Sequence, residues 1–309
     1  MYKYIFKRLL MLIPVLFGVA LVVFFIMDMT PGDPAVIVAG DDATEEQIEA
    51  VREELGLNDP LLIRYGRYML KLFQGDMGQS YVSKVDVFDT YIHKFPTTLI
   101  LAIASIIVAL IISIPLGIMS ATHQNTWLDT LGTFIALLGV SMPNFWLGMM
   151  LILGLSNGLG LFPSGGFEGF SSIVLPAITE GVFLCALIMR NTRSSMLDVL
   201  RQDYIVTAKA KGVSNRKVIM HHAFRNALIP IITVAGMNFA YVLCGPVLTE
   251  TVFSWPGVGR LVYDSICKSD INMVTGSLIL SCMFVSVVNL VVDLLYAFVD
   301  PRIKAQYKK

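Results

Sequence analysis

Six apolar stretches of about 20 residues or more constrain what this 309-residue chain can fold into. They run at 9–28, 98–120, 128–155, 172–190, 228–250 and 273–299. Inside a bilayer no water satisfies a peptide group, so such stretches must close their own backbone hydrogen bonds as helices. Charged residues make up 15% of the chain, against roughly 25% in soluble domains. The expected fold class is therefore an all-α membrane protein with six transmembrane helices. The flank MYKYIFKRLLMLIP is basic, but the apolar run continues to Met27 with no small-residue cleavage site after it, so an uncleaved first helix is expected. Pro143 lies inside the third stretch, which predicts two half-helices or a strong tilt there.

Lysine and arginine set the direction. The N-terminal flank carries Lys3, Lys7 and Arg8, and the end carries Arg302, Lys304, Lys308 and Lys309. Residues 190–225 hold eight basic residues against Asp198 and Asp203, whereas 30–96 holds six basic and twelve acidic residues. With six spans the three basic regions share one side, so both termini are expected in the cytoplasm and 30–96 outside it. The loop at 121–127 has no lysine or arginine and does not bear on the choice.

This reading divides the chain into an N-terminal transmembrane helix (1–29), an external helical segment (30–96), a five-helix core (97–300) with a cytoplasmic loop at 191–228, and a cytoplasmic tail (301–309). In the external segment Thr44-Glu45-Glu46-Gln47 has capping-box spacing before a helix that Gly56 stops. Asn58-Asp59-Pro60 starts a second helix, with Leu61, Tyr65, Tyr68 and Leu72 on one face and Gly75 at its end.

Several chemistries find no residues to carry them. No GxxxxGK[ST] phosphate loop is present, so the chain does not bind ATP in that way by itself. There is no HExxH or GxSxG, and the adjacent His221 and His222 do not face one site on a helix. Cys185, Cys244, Cys267 and Cys282 have no metal-ligand or redox spacing and read as small hydrophobes. No catalytic residue and no metal site are expected. Movement of a solute and contact with partners remain. Ionisable residues within spans are costly and point to function. Glu180, four residues after Pro176, could line a substrate path or sit near the outer interface as a cap. Asp293, four residues after Asn289, is expected to hydrogen-bond a neighbouring helix.

The stretch DYIVTAKAKGVSNRKVIMHHAFRNALIP at 203–230 interrupts the apolar pattern. Residues 191–202 continue the fourth span helically, and Asp203-Tyr204 opens a helix of small and basic residues: Thr207, Ala208, Lys209, Ala210, Lys211. Gly212 ends it, since glycine takes a left-handed cap freely. Ser214 or Asn215 caps a second short helix leading to Arg225, Asn226 and Pro230, where the fifth span begins. The expected form is a helix–glycine–helix elbow with a small-residue face that a partner can approach closely.

This segment resembles the cytoplasmic EAA loop of ABC-importer permeases, E-A-A-x-x-x-G followed by I-x-L-P. Ala208 falls on the second alanine and Gly212 on the glycine, while Val206 and Thr207 replace the glutamate and the first alanine. Those departures are similar to the peptide/nickel branch, DY-x-x-TA-[RK]-AKG…H-x-x-RNA-x-IP. Thr30-Pro31-Gly32-Asp33-Pro34, Glu54-Leu55-Gly56-Leu57, Gly75-Asp76-Met77-Gly78-Gln79-Ser80, Glu250 to Arg260 and Asp300-Pro301-Arg302 resemble that branch as well. The resemblance implies a type I ABC-importer permease in a bacterial or archaeal cytoplasmic (inner) membrane. It implies a second homologous permease, two ATPase subunits that carry ATP and magnesium, an extracytoplasmic solute-binding protein and membrane lipid as partners, with no cofactor on this chain and no nucleic acid. Short peptides are the expected cargo, with glutathione or chelated nickel as alternatives. A secondary ion-coupled transporter is the rival class, but no convincing internal repeat accompanies the few ionisable residues within spans.

Overall fold

The structure is a computed structural model that describes residues 2–29, 33–40 and 42–299. The side chains of Asp293 and of Lys3, Lys7 and Arg8, the stretch Thr30-Pro31-Gly32 and the end from Asp300 lie outside the described residues. Helices dominate: α1 (Tyr2–Met29), α2 (Pro34–Ala39), α3 (Glu45–Glu54), α4 (Leu61–Phe73), α5 (Val87–Thr122), α6 (Trp127–Ser141), α7 (Asn144–Leu151), α8 (Phe170–Leu200), α9 (Asp203–Ala210), α10 (Asn215–Lys217), α11 (Phe224–Leu243), α12 (Val247–Val252), α13 (Val258–Cys267) and α14 (Ile271–Val299). Five helical stretches are long and apolar enough to cross a bilayer; counted as one span, the bent pair α6 and α7 makes six.

Three expected spans differ in form. The third breaks at Pro143, with a bend of 96° between α6 and the helix beyond it. The pyrrolidine ring disfavours helical geometry in the residue before it, and Met142 is extended at φ −84, ψ 127. The fifth, expected at 228–250, is helical from Asn215 to Leu243. It ends at Gly245, which takes φ 92, and Pro246, after which α12 starts separately. The second runs from Val87, well before the apolar stretch begins.

The chain forms two compact units, Met1–Thr98 with Pro256–Val287, and Leu99–Trp255 with Val288–Lys309. In the first unit α4 packs its apolar face on α1 and α14: Tyr68 and Met69 meet Phe24, Met27, Ile271 and Val274 in one buried cluster. A second cluster joins Val87, Tyr91, Val258, Val262 and Leu280, with the Phe95 and Phe284 rings stacked at 4.0 Å. The capping box at Thr44 forms: Gln47 N–H donates to Thr44 Oγ1 and Thr44 N–H donates to Gln47 Oε1 at 2.9 Å. Pro60 occupies the cap position of α4 and Gly75, at φ 83, follows its end.

In the second unit α8 is the centre. Helices in lipid associate by close van der Waals contact, which small residues permit. A β-carbon at Gly181 would stand 2.7 Å from Val108 of α5, one at Gly139 would stand 3.0 Å from Val182, and one at Gly117 would stand 2.6 Å from Thr192. Gly117→Val is therefore expected to lower thermal stability in detergent by about 1–3 kcal/mol, the cost of overpacking a tight contact. Gly18→Val, where a β-carbon meets nothing within 4 Å, is the control. Equal melting of the two variants would contradict this packing.

Candidate functional site

The elbow starts where α8 ends at Leu200. Gln202 turns extended (φ −76, ψ 145) as the cap of α9, and its side chain donates to Asp198 C=O at 3.2 Å. Asp203 stands in the first turn of α9 and Lys209 in its last, each complementing the helix dipole. Ile205 is fully buried and anchors the helix. Tyr204, Val206, Thr207, Lys209 and Ala210 face outward, with Val206 exposed at 62%. Ala208 is half-buried.

The end of α9 is a Schellman turn. Gly212 N–H donates to Lys209 C=O at 2.9 Å and Val213 N–H to Ala208 C=O at 3.2 Å. Gly212 takes φ 76, and a side chain there would meet nothing within 4 Å, so its requirement is conformational rather than steric. Ser214 then occupies a cap position, but its side chain makes no capping hydrogen bond. The second helix, expected to be short and to run into the fifth span, starts at Asn215 and is continuous with that span: α10 runs through π-helical turns at Val218–Ala223 into α11. Pro230 lies inside α11 rather than at its start.

Asn226 closes the elbow. Its amide donates to Tyr204 Oη at 3.0 Å and to His222 C=O at 2.7 Å, tying α9 to the root of the fifth span. Tyr204 and Asn226 are thus brought together, whereas Arg225 is exposed beside them. Glu180 stands apart, twenty residues before the end of α8, about 30 Å along its axis. It is buried, accepting hydrogen bonds from Thr249 Oγ1 of α12 and from Asn144 Nδ2 of α7, the latter at 3.4 Å. In this conformation the carboxylate fastens three helices.

Sequence reading missed a second clasp. Arg193 of α8 donates to both carboxylate oxygens of Asp129, at 2.8 and 2.7 Å, and to Ser120 Oγ at 3.1 Å. Ser120 also donates to Asp129, which accepts from Asn125 N–H at 3.0 Å. This ties the α5–α6 hairpin, whose loop carries no lysine or arginine, to the root of the basic elbow. The available signal was an acid in the first turn of the third stretch and an arginine three residues past the end of the fourth. Arg193→Ala, which strands a nearly buried carboxylate, is expected to cost about 1.5–3 kcal/mol in thermal stability. Arg193→Lys, which keeps the charge but loses the two-pronged fit, is expected to fall between. Wild-type melting of Arg193→Ala would show that the clasp bears no weight.

Comparison with known proteins places this architecture. Residues 113–305 match the family "Binding-protein-dependent transport system inner membrane component", and residues 1–102 match its N-terminal membrane component family. The glutathione transport system permease protein GsiC of Escherichia coli K12 is 42% identical over 98% of this chain and 99% of its own length. Its counterpart in Salmonella paratyphi A is 41% identical over the same shares. A chain of the MetNI methionine ABC transporter in an inward-facing conformation shares the fold, with a TM-score of 0.59 at 16% identity over 69% of this chain and 97% of that one. The chain therefore belongs to the binding-protein-dependent transport system inner-membrane components, as a multi-pass permease subunit of an ABC importer of the peptide/nickel branch.

Proposed function

We propose that this permease carries short peptides, glutathione among them, across the membrane, driven by ATPase subunits that grip the α9 elbow. The observation that carries the cargo is its identity, across nearly the whole chain, with permeases of glutathione transport systems. The partners are a second permease, two ATPase subunits holding ATP and magnesium, and an extracytoplasmic binding protein that delivers the peptide. The basic residues near the elbow and at both ends support a cytoplasmic position for both termini, with the segment from α2 to α4 outside.

The elbow suits the coupling role physically. α9 exposes small and apolar side chains to a partner, is anchored by Ile205, and is fixed to the fifth span through Asn226 and Tyr204. Movement of α9 is therefore delivered to both α8 and α11. The direct test is ATP-driven uptake of labelled glutathione and dipeptides by the complete importer in proteoliposomes. A β-branched residue is disfavoured at the positive φ of Gly212. Gly212→Val is expected to insert at wild-type abundance while losing coupling of uptake to ATP hydrolysis; normal ATP-coupled uptake would overturn this role.

Glu180 is assigned to the substrate path in the state that releases Thr249 and Asn144, where its carboxylate can meet a peptide ammonium. Glu180→Gln keeps an oxygen for those two donors but removes the charge. It is expected to slow uptake of peptides with a free amino terminus about tenfold, the loss of one charge-assisted bond. Unchanged uptake would remove Glu180 from the path.

A further inference from the structure

Arg190 takes no part in the clasp that Arg193 makes three residues further along α8. It is exposed, and among the described residues no hydrogen bond or ion pair engages its side chain. It lines a groove of about 820 Å³ between α6 and α8, inside the second compact unit. That volume falls in the usual range for small-molecule sites.

The groove is sorted along its length. α6 and α8 run antiparallel: Asp129 is level with Arg193, a β-carbon at Gly132 would stand 3.3 Å from Met189, and Gly139 is level with Val182. At the end next to the elbow the lining is Asn125, Asp129, Thr130, Arg190 and Arg193. Further from the elbow it is Phe134, Leu137 and Ala186, backed by the buried cluster of Ala136 and Met189. From Thr130 to Leu137 is about 10 Å along the helix axis. That lies within the roughly 15 Å of hydrocarbon in one leaflet.

Charge and depth decide what fits. Two arginines face one aspartate, and Arg193 occupies both oxygens of Asp129, so the groove keeps one net positive charge on Arg190. The polar end lies where the third apolar stretch begins and the fourth ends, which puts Arg190 at the boundary between hydrocarbon and water. Trp127, exposed in the first turn of α6, marks the same boundary, where indole rings collect. The surface of α6 beside the groove is apolar and exposed at Leu131, Ile135 and Leu138, as suits contact with acyl chains. A free solute anion uses only the polar end and leaves Phe134 and Leu137 unmatched. A molecule with an anionic head and an apolar tail matches both ends.

We infer that this groove binds an anionic phospholipid of the leaflet next to the elbow, with its phosphate on the Arg190 guanidinium and an acyl chain along Phe134, Leu137 and Ala186. The planar fork of arginine suits two phosphate oxygens. Basic pockets between spanning helices hold anionic headgroups in this way. The bound lipid joins α6 to α8 one turn from the Arg193 clasp, at the root of the elbow.

The test is photolabelling of the complete importer in phosphatidylcholine nanodiscs that contain phosphatidylglycerol with a diazirine in its acyl chain. Labelled peptides are identified by mass spectrometry. Label is expected at 130–137 and 186–190, and unlabelled phosphatidylglycerol is expected to remove it at least tenfold more effectively than added phosphatidylcholine. Arg190→Gln is expected to lose about tenfold of this label, as for loss of one hydrogen bond between charged groups. Arg201→Gln, which removes an exposed arginine outside the groove, is expected to label like the wild type. The lipid competition is read on the wild type, so it does not depend on how either variant folds. No label in the groove, as cover by a second permease would give, overturns the site. Equal competition by the two lipids, equal labelling of wild type and Arg190→Gln, or an equal loss in Arg201→Gln overturns it too. Displacement by inorganic phosphate or by glutathione also contradicts it, and assigns the groove to a free anion or to cargo.

Discussion

Close approach of α8 to α5 and α6 sets the geometry of the permease unit. Lipid offers no hydrophobic drive for helices to associate, so contact must come from shape and from polar groups that meet partners. Gly117, Gly139 and Gly181 leave no side chain between these helices, and the contacts bring backbone and Cβ atoms to within van der Waals range. α8 is the most buried of the spans as a result. A 31-residue helix held this tightly has little freedom to bend, and moves with what is attached to it.

Two polar clasps lie along that helix. Glu180 collects hydrogen bonds from Asn144 and Thr249, and Arg193, thirteen residues or about 20 Å further on, holds Asp129 and Ser120. Each satisfies a charge that would otherwise be expensive at such a position. The partners of Glu180 sit on elements restarted after irregular backbone: Asn144 opens α7 after the Pro143 break, and Thr249 lies on α12 after the Gly245-Pro246 break. Glu180 of α8 thus binds both restarted helices close to their breaks. On the proposed mechanism a partner's pull on α9 reaches these clasps through α8.

Local features were legible in the sequence because their physics is local. The capping box at Thr44, the break at Pro143 and the left-handed turn at Gly212 each follow from residues within a few positions of one another. The helix start near Asn215 was legible, but its unbroken continuity with the fifth span was not, since the helix is polar before the apolar run begins. The pairing of Tyr204 with Asn226, of Asp129 with Arg193 and of Glu180 with Thr249 joins residues 22, 64 and 69 positions apart. Composition marked these residues as costly or unusual, but which side chain each meets is decided by helix packing.

The central claim is that α9 is the surface through which the ATP cycle acts on this chain. It is tested most directly by placing a photoreactive amino acid at Lys209, on the exposed face of α9, in the assembled importer and identifying what it cross-links on illumination. The account predicts a product with the ATPase subunit whose yield changes between the nucleotide-free and ATP-bound states. A product with the solute-binding protein, or with no ATPase subunit in either state, would contradict it.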